Sequence, residues 1–249
     1  MAGHSKWASI KHKKKATDAK RGQLFTKLGR AIQVAAREGG GDPAANATLA
    51  NAIQKAKDAR MPKDNIERAI AKGTGAGSGS EAIETVVYEG YGPGGVAILV
   101  ETLTDNRNRT GAEVRHVFSS HGGSLGEPGS VAWVFEKKGE IVLDGSRSDE
   151  GLMAAIEAGA EDVIAEGDIV EVVTAPGDLP AVRAALEQAG VEFESAELVM
   201  RPTSRTPVQE HEAARLMHLL EALSEHDDVS AVHANFDVDA ELLERVTAA

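Results

Sequence analysis

The fold is decided by a regular stretch of sequence at residues 139–200, GEIVLDGSRSDEGLMAAIEAGAEDVIAEGDIVEVVTAPGDLPAVRAALEQAGVEFESAELVM. Short runs rich in β-branched residues alternate there with two segments whose apolar residues recur at helical spacing. We predict the order strand 141–143, helix 150–158, strand 162–165, strand 169–174, helix 179–189 and strand 193–200. This βαββαβ order is typical of a ferredoxin-like split βαβ unit.

The segments on both sides of this unit carry a second α/β pattern. We predict strands in VVYEGY (86–91), VAILVETL (96–103), VAWVF (131–135) and VSAVHANF (229–236). Helices are predicted over 106–121 and 208–224, the second after the linker RPTSRTP (201–207). A lone helix and strand cannot bury a core, so we expect this C-terminal pair to complete the sheet of residues 81–136. The βαββαβ unit would then be an insertion.

The N-terminal part predicts three short helices. In the first, which begins near Thr17, Leu24, Leu28 and Ile32 form one apolar stripe, whereas Gly22 and Gly29 weaken the helix. The glycine run 39–41 ends it, and Asp42-Pro43 is predicted to start the second. Met61-Pro62 separates the second from the third, which ends near Lys72.

These segments define a fold class and three predicted domains. GTGAGSGS at 73–80 has the composition of a flexible linker. The predicted class is α/β (α+β), with an N-terminal three-helix domain followed by two α/β domains, the last a ferredoxin-like insertion. The predicted boundaries are 1–76 for the basic helical domain, 81–137 plus 205–249 for the middle domain, and 138–203 for the acidic insertion.

The charge of the chain changes sign near this linker. Residues 1–72 carry 16 basic and 6 acidic side chains, a net charge of +10. The whole chain has 27 and 39, so residues 73–249 hold 11 basic and 33 acidic side chains, a net charge of −22. A basic arm joined to an acidic body indicates that the arm meets a polyanion.

Composition restricts the class of protein. The 249 residues include no cysteine, which excludes disulfides and thiolate metal sites. No apolar run approaches the roughly 20 residues that cross a bilayer, and no apolar segment follows the positive N-terminus as in a signal peptide. We therefore predict a cytoplasmic protein with no membrane association.

Basic residues near the N-terminus and in the helix at 106–121 form the candidate nucleic-acid site. Lysines attract phosphates without regard to sequence, and an embedded tryptophan stacks on unpaired bases. The predicted binding residues are His4, Lys6, Trp7, Lys11, His12, Lys13, Lys14, Lys15, Lys20, Arg21, Lys27, Arg107 and Arg109. The alternatives are a solvated basic tail and a capped helix with solvent-facing arginines.

Other motifs give little chemistry. The glycine-rich run at 88–95 precedes a strand rather than a helix, so a tight connection between strands is favoured over a phosphate loop. The histidines are scattered, and the acidic stretch at 144–197 lacks a calcium-loop pattern. It is either a solvated surface or a docking face for a basic protein. We predict no catalytic residues, no metal and no cofactor.

Five strings carry a family resemblance: AGHSKWASIKHKK, GGDPAAN, MPKDNIERAI, YEGYGPGGVAILVETLTDNRNRT and GSVAWVFEKKG. Together they resemble the YebC/PmpR family. The resemblance implies a three-domain α/β fold without enzymatic activity. It also implies a function in gene expression, because members are labelled DNA-binding transcriptional regulators and some are linked to translation of proline-rich stretches on the ribosome.

The leading hypothesis is a non-enzymatic, nucleic-acid-binding regulator of gene expression that binds DNA or ribosomal RNA through its basic arm. One alternative is a ribosome-associated translation factor that assists elongation at proline-rich stretches, with its acidic surface meeting ribosomal proteins. Another is a protein-binding adaptor that acts through its acidic domains. The sequence leaves the oligomeric state open.

Overall fold

The computed structural model describes residues 18–75, 83–144, 149–166 and 169–248. The helices are α1 (Asp18–Gly39), α2 (Ala47–Asp58), α3 (Lys63–Gly73), α4 (Arg107–Ser120), α5 (Asp149–Glu157), α6 (Leu179–Gln188), α7 (Glu210–Glu225) and α8 (Ala240–Ala248). None of these helices is long and apolar enough to span a bilayer. The strands are β1 (Glu84–Tyr91), β2 (Ala97–Thr104), β3 (Ser124–Leu125), β4 (Phe135–Asp144), β5 (Ala160–Glu166), β6 (Ile169–Thr174), β7 (Phe193–Pro202), β8 (Thr206–Pro207), β9 (Val229–Ala234) and β10 (Phe236–Asp237). The predicted fold class is confirmed.

Helices α1, α2 and α3 pack around a small apolar core that includes Ile32, Leu49 and Ile66. The prediction that Asp42 starts the second helix is wrong. Asn46 is the N-cap residue of α2, and its side-chain oxygen accepts from the Leu49 amide at 3.0 Å. The Asn46 amide group also donates to the carbonyls of Ala35 and Gly40, which joins the end of α1 to the start of α2. Asn46 therefore satisfies backbone groups of both helices.

The middle sheet has the strand order β3-β1-β2-β9, and each neighbouring pair is antiparallel. The C-terminal strand β9 pairs with β2, with Val232 opposite Val100. Phe118 of α4 and Leu220 of α7 pack with Ile98 of β2 in the main apolar core. Strand β9, which follows the linker at 201–207, thus joins the sheet formed by strands that precede β4. The boundaries of the three domains stay a prediction.

The second sheet has the order β5-β6-β4-β7 and is antiparallel throughout. Helices α5 and α6 cover one face, where Ile141, Val172 and Leu186 are buried together. Edge strand β7 belongs to the end of the unit and pairs with β4 at its start. This order is the ferredoxin-like arrangement that the sequence predicts.

The predicted strand in VAWVF is wrong over most of its length. Residues Ala132–Val134 form a 3-10 turn, and strand β4 begins only at Phe135. The Glu89 carboxylate accepts from the backbone amides of Val131 and Ala132. Those amides are therefore unavailable to a β-ladder, although the side chains have high strand propensity.

The glycine-rich run is a tight connection between antiparallel strands, as predicted. A 3-10 turn at Pro93–Gly95 joins β1 to β2, and the Gly92 amide donates to the Val96 carbonyl at 2.8 Å. Gly94 and Gly95 have φ angles of 75° and 71°. Glycine adopts this left-handed conformation at little steric cost.

Candidate nucleic-acid interface

Most of the predicted binding residues precede residue 18, the first described residue. His4, Lys6, Trp7, Lys11, His12, Lys13, Lys14 and Lys15 lie outside the described residues. Lys20, Arg21 and Lys27 lie on α1, while Arg107 and Arg109 lie in the first turn of α4. The structure therefore describes two parts of the candidate site: the start of α1, which follows the arm, and the first turn of α4, which carries the two arginines.

Helix α1 is fixed against the C-terminal end of α7. Gln23 Nε2 donates to the Glu225 carbonyl at 2.6 Å and to Asp227 Oδ1 at 2.8 Å. Lys27 Nζ donates to the Ser224 carbonyl at 2.7 Å. A cation at a helix C-terminus is stabilising because the last carbonyls carry partial negative charge. Lys27 thus has a structural contact, and its phosphate contact stays a prediction.

Asp228 lies at the centre of a charged cluster between α1 and α4. Its side chain is 4% exposed, and its carboxylate accepts from Arg30 Nη1 and Arg109 Nη2, each at 2.7 Å, and from Thr110 Oγ1 at 2.6 Å. Burial raises the pKa of this carboxyl, but the hydrogen bonds from Thr110, Arg109 and Arg30 outweigh it and lower the pKa to about 2. Asp228 is therefore charged at neutral pH.

The two arginines of α4 have different surroundings. Arg109 Nη2 also donates to Asp105 Oδ1 at 2.9 Å, so its guanidinium is shared between two carboxylates. Arg107 is exposed and forms no ion pair with another described residue; its carbonyl accepts from the Tyr88 hydroxyl at 3.1 Å. Asn106 is the N-cap residue of α4, and its Oδ1 accepts from the Arg109 amide at 3.1 Å. Arg107 is thus the arginine of this turn that faces solvent without a charged partner in the described part.

The helical bundle presents further cations that the sequence analysis missed. Lys57, Arg60 and Lys72 are exposed, and none of them pairs with a carboxylate within the described ranges. Arg60 has a φ of 59° and follows α2 at a position where glycine is usual. For Lys57 and Lys72 the available signal was their spacing, because each lies off the apolar stripe of its helix.

A cleft of about 1470 Å³ separates the bundle from β7, α6 and β9. Two ion pairs cross from the bundle to the ferredoxin-like unit: Lys55 Nζ to Glu197 Oε2 at 2.7 Å, and Arg183 to Asp58 with nitrogen–oxygen distances of 2.7 and 2.8 Å. Burial lowers the pKa of Lys55, but the Glu197 carboxylate outweighs this effect and the pKa is raised. These charges neutralise each other, which suits an interdomain contact better than a reaction centre.

One group of side chains has the spacing of metal ligands. Ligand atoms of Glu113, His226 and Asp228 lie within 4.8 Å of one another. His226 Nε2 contacts Glu113 Oε2 at 3.0 Å, while Asp228 is already held by two guanidinium groups. Because those cations compensate the buried carboxylate, the cluster is an ion-pair network rather than a favourable cation site.

Comparisons with known proteins agree over almost the whole chain. A family model described as "TACO1/YebC protein N-terminal domain" matches residues 5–76, and one described as "TACO1/YebC second and third domain" matches residues 83–236. A "Probable transcriptional regulatory protein" of Rubrobacter xylanophilus is 55% identical over 248 residues, covering 99% of each chain. One of the same description from Halothermothrix orenii is 52% identical over 252 residues, again with 99% of each chain. The crystal structure of a conserved hypothetical protein from Aquifex aeolicus has a TM-score of 0.79 and 48% identity, covering 89% of this chain and 92% of that one.

Proposed function

This chain belongs to the TACO1/YebC family, and we propose that it is a non-enzymatic, nucleic-acid-binding regulator of gene expression. The basic arm at residues 1–15 and the start of α1 would supply the main phosphate contacts. Arg107 would supply a second anchor. The relatives named probable transcriptional regulatory proteins support a role in gene expression.

The observation that carries the proposal is the carboxylate of Asp228, which Arg30 and Arg109 share. This contact holds the middle of α1 against the first turn of α4. Arg21 precedes Arg30 by nine residues on α1, roughly 14 Å along a helix. The arm, Arg21 and Arg107 are therefore attached to two elements that contact each other. Nine residues are about two and a half helical turns, so Arg21 lies on the opposite side of α1 from Arg30, and a polyanion that meets both Arg21 and Arg107 would have to curve around α1.

The net charges give this surface its electrostatic preference. The +10 charge of residues 1–72 attracts phosphates, whereas the −22 charge of residues 73–249 repels them. Exposed cations on α2 and α3, among them Lys57 and Lys72, extend the basic surface of the bundle. Binding should therefore depend on the backbone and shape of the nucleic acid rather than on base sequence.

A ribosome-associated translation factor is the second candidate. A long DNA duplex beside a strongly acidic body would meet repulsion over a range of about 10 Å at 0.1 M salt. On a ribosome, the acidic surface has basic proteins to contact while the arm reaches RNA. The adaptor alternative gives the arm no role, so it predicts that partners are retained when residues 2–22 are deleted.

The direct test is fluorescence anisotropy of labelled duplex DNA and of a structured ribosomal RNA fragment titrated with the full chain. The double variant Arg21→Ala/Arg107→Ala should bind both more weakly, because two side chains that meet phosphates are removed. Arg245→Ala, on α8 of the acidic body, is the matched control and should bind like the wild type. Equal affinity of the double variant and the control would overturn the proposed surface.

Sedimentation of a cell lysate separates the two candidate processes. Full-length protein in the ribosomal fractions, with the variant lacking residues 2–22 left at the top of the gradient, would support translation. Both forms at the top, with duplex DNA retarded by the full chain alone, would support transcription.

A further inference from the structure

Trp133 is an exposed aromatic side chain in a fixed position. Its residue is 74% exposed, the largest value among the exposed large apolar residues of the described chain. Its indole Nε1 donates to the Ser130 carbonyl at 3.0 Å. Tyr91, which is 40% exposed, donates from its hydroxyl to the same carbonyl at 3.0 Å. Two aromatic side chains thus meet at one backbone oxygen.

The loop that carries Trp133 is held by a buried carboxylate. The oxygens of Glu89 accept from the backbone amides of Gly129, Val131 and Ala132 at 2.6–2.8 Å. Burial raises the pKa of Glu89, but these three hydrogen bonds outweigh it and the pKa is lowered. The carboxylate is therefore charged and keeps the loop ordered at neutral pH.

A single exposed apolar residue needs no explanation by itself. Here, however, the indole is oriented by its own hydrogen bond, the neighbouring tyrosine shares the acceptor, and a charged carboxylate fixes the loop. A rigid aromatic loses little conformational entropy when it binds a partner. The arrangement has the properties of a preformed contact site.

The charge around the aromatic pair indicates which ligand fits. Residues 84–106, which include Tyr91, contain four acidic side chains and no lysine or arginine. Residues 116–136, which include Trp133, contain Glu127 and Glu136 and again no lysine or arginine. Both of these glutamates are exposed. Basic residues follow directly, since Lys137 is exposed and Lys138 pairs with Glu136 at 3.5 Å, so the negative charge that disfavours the phosphates of a stacked base comes mainly from the −22 net charge of residues 73–249.

We propose that Trp133 and Tyr91 form a docking site for an arginine in a basic segment of a protein partner. A guanidinium stacks flat on an indole face and is attracted by its negative π-system. No described residue places a cation over the Trp133 ring; the described chain has such a pair elsewhere, Arg183 over Phe193 at 5.0 Å. The −22 charge of residues 73–249 attracts the basic segment of the partner. The aromatic pair favours arginine over lysine within that segment. This site does not depend on the nucleic-acid surface.

The test uses the full chain and two labelled peptides of equal length and charge, one of arginines and one of lysines. The wild type should bind the arginine peptide about three- to tenfold more tightly, and Trp133→Ala should remove this preference while leaving the lysine peptide unaffected. Ile156→Ala is the matched control, because Ile156 is 57% exposed on α5 of the same acidic body. It should keep the preference. An unchanged preference in Trp133→Ala would overturn the proposal.

Fluorescence gives a second, independent readout. The chain has two tryptophans, so Trp7→Phe leaves Trp133 as the sole indole emitter. The arginine peptide should change the intensity of this emission at saturation, and single-stranded oligouridylate should not. A change with the oligonucleotide alone would make this surface a base-stacking site and would contradict the proposed partner.

Discussion

Arg30 and Arg109 donate to different oxygens of the Asp228 carboxylate, each at 2.7 Å, and so join α1 to α4 through a residue that is 4% exposed. Two cations from different elements thereby meet at one carboxylate. The same contact holds the bundle against the middle sheet.

Replacement of Asp228 by asparagine should therefore destabilise the fold. The variant leaves two partly exposed guanidinium groups without their shared carboxylate, and the loss of a hydrogen bond to a charged group costs about 1.5–3 kcal/mol. Urea unfolding measures the loss. Asp227→Asn is the matched control, because Asp227 is exposed and its carboxylate accepts from the neutral Gln23 amide. Its cost should stay below about 1 kcal/mol, and equal costs for the two variants would contradict this role of Asp228.

The stability contributed by Glu140 should fall as the pH rises. Glu140 and Glu171 are both buried and both contact Arg201 Nη1, at 2.9 and 3.1 Å. Burial, and then the charge of Glu171, raise the pKa of Glu140 from 4.5 to about 7. The folded chain thus holds a proton that the unfolded chain loses between these pH values, so stability decreases across this window.

Glu140→Gln mimics the protonated form and should remove this part of the pH dependence. Relative to the wild type, its free energy of unfolding should increase by roughly 2–3 kcal/mol between pH 5 and pH 8. Glu136→Gln, an exposed neighbour on β4, is the control and should follow the wild type. Parallel pH profiles for Glu140→Gln and the wild type would show that Glu140 is charged in the folded chain.

Arg60→Gly should separate stability from binding. Arg60 adopts a φ of 59°, a conformation that costs a residue with a side chain roughly 1 kcal/mol relative to glycine. The variant should therefore be more stable to urea, yet bind nucleic acid more weakly, since an exposed cation of the basic surface is removed. Higher stability with unchanged affinity would remove Arg60 from the proposed surface.

Gly29→Ala should stabilise α1 by about 0.5–1 kcal/mol, because glycine in a helix interior is unfavourable. A Cβ at this position meets Met61 Cε at 3.8 Å, which is an ordinary van der Waals distance. Gly73→Ala is the contrasting control, because its Cβ would clash with the Gln33 carbonyl oxygen. It should lower the melting temperature, and a similar gain in both variants would contradict the described packing of α1 against α3.

Local patterns in the sequence predicted much of the fold. The βαββαβ unit was predictable because apolar residues recur at every second position in its strands and at every third or fourth position in its helices. Asn106 marked the start of α4. VAWVF was misassigned because its strand propensity is local, whereas the Glu89 carboxylate that occupies its amides lies on another strand. The start of α2 was misassigned since both Asp42 and Asn46 are cap-forming residue types, and tertiary contacts to Ala35 and Gly40 decide between them.

The candidate site was less predictable for the same reason. The charge of the arm and of Arg107 is visible in the sequence. The partners of Arg109 and Lys27, Asp228 and the Ser224 carbonyl, lie more than a hundred residues away and follow only from the fold. Arg60 and Trp133 have no distinctive sequence signal, because the first depends on a backbone angle and the second on exposure.

The proposed function depends above all on whether the basic arm binds nucleic acid through its phosphates. The slope of log Kobs against log salt for ribosomal RNA measures this, for the wild type and for the variant with Lys11, Lys13, Lys14 and Lys15 replaced by Ala. We expect the variant to bind every sequence more weakly, with a slope that is shallower by roughly 0.7–0.9 for each phosphate that is no longer neutralised. An unchanged affinity and slope would show that the arm does not bind nucleic acid in this way.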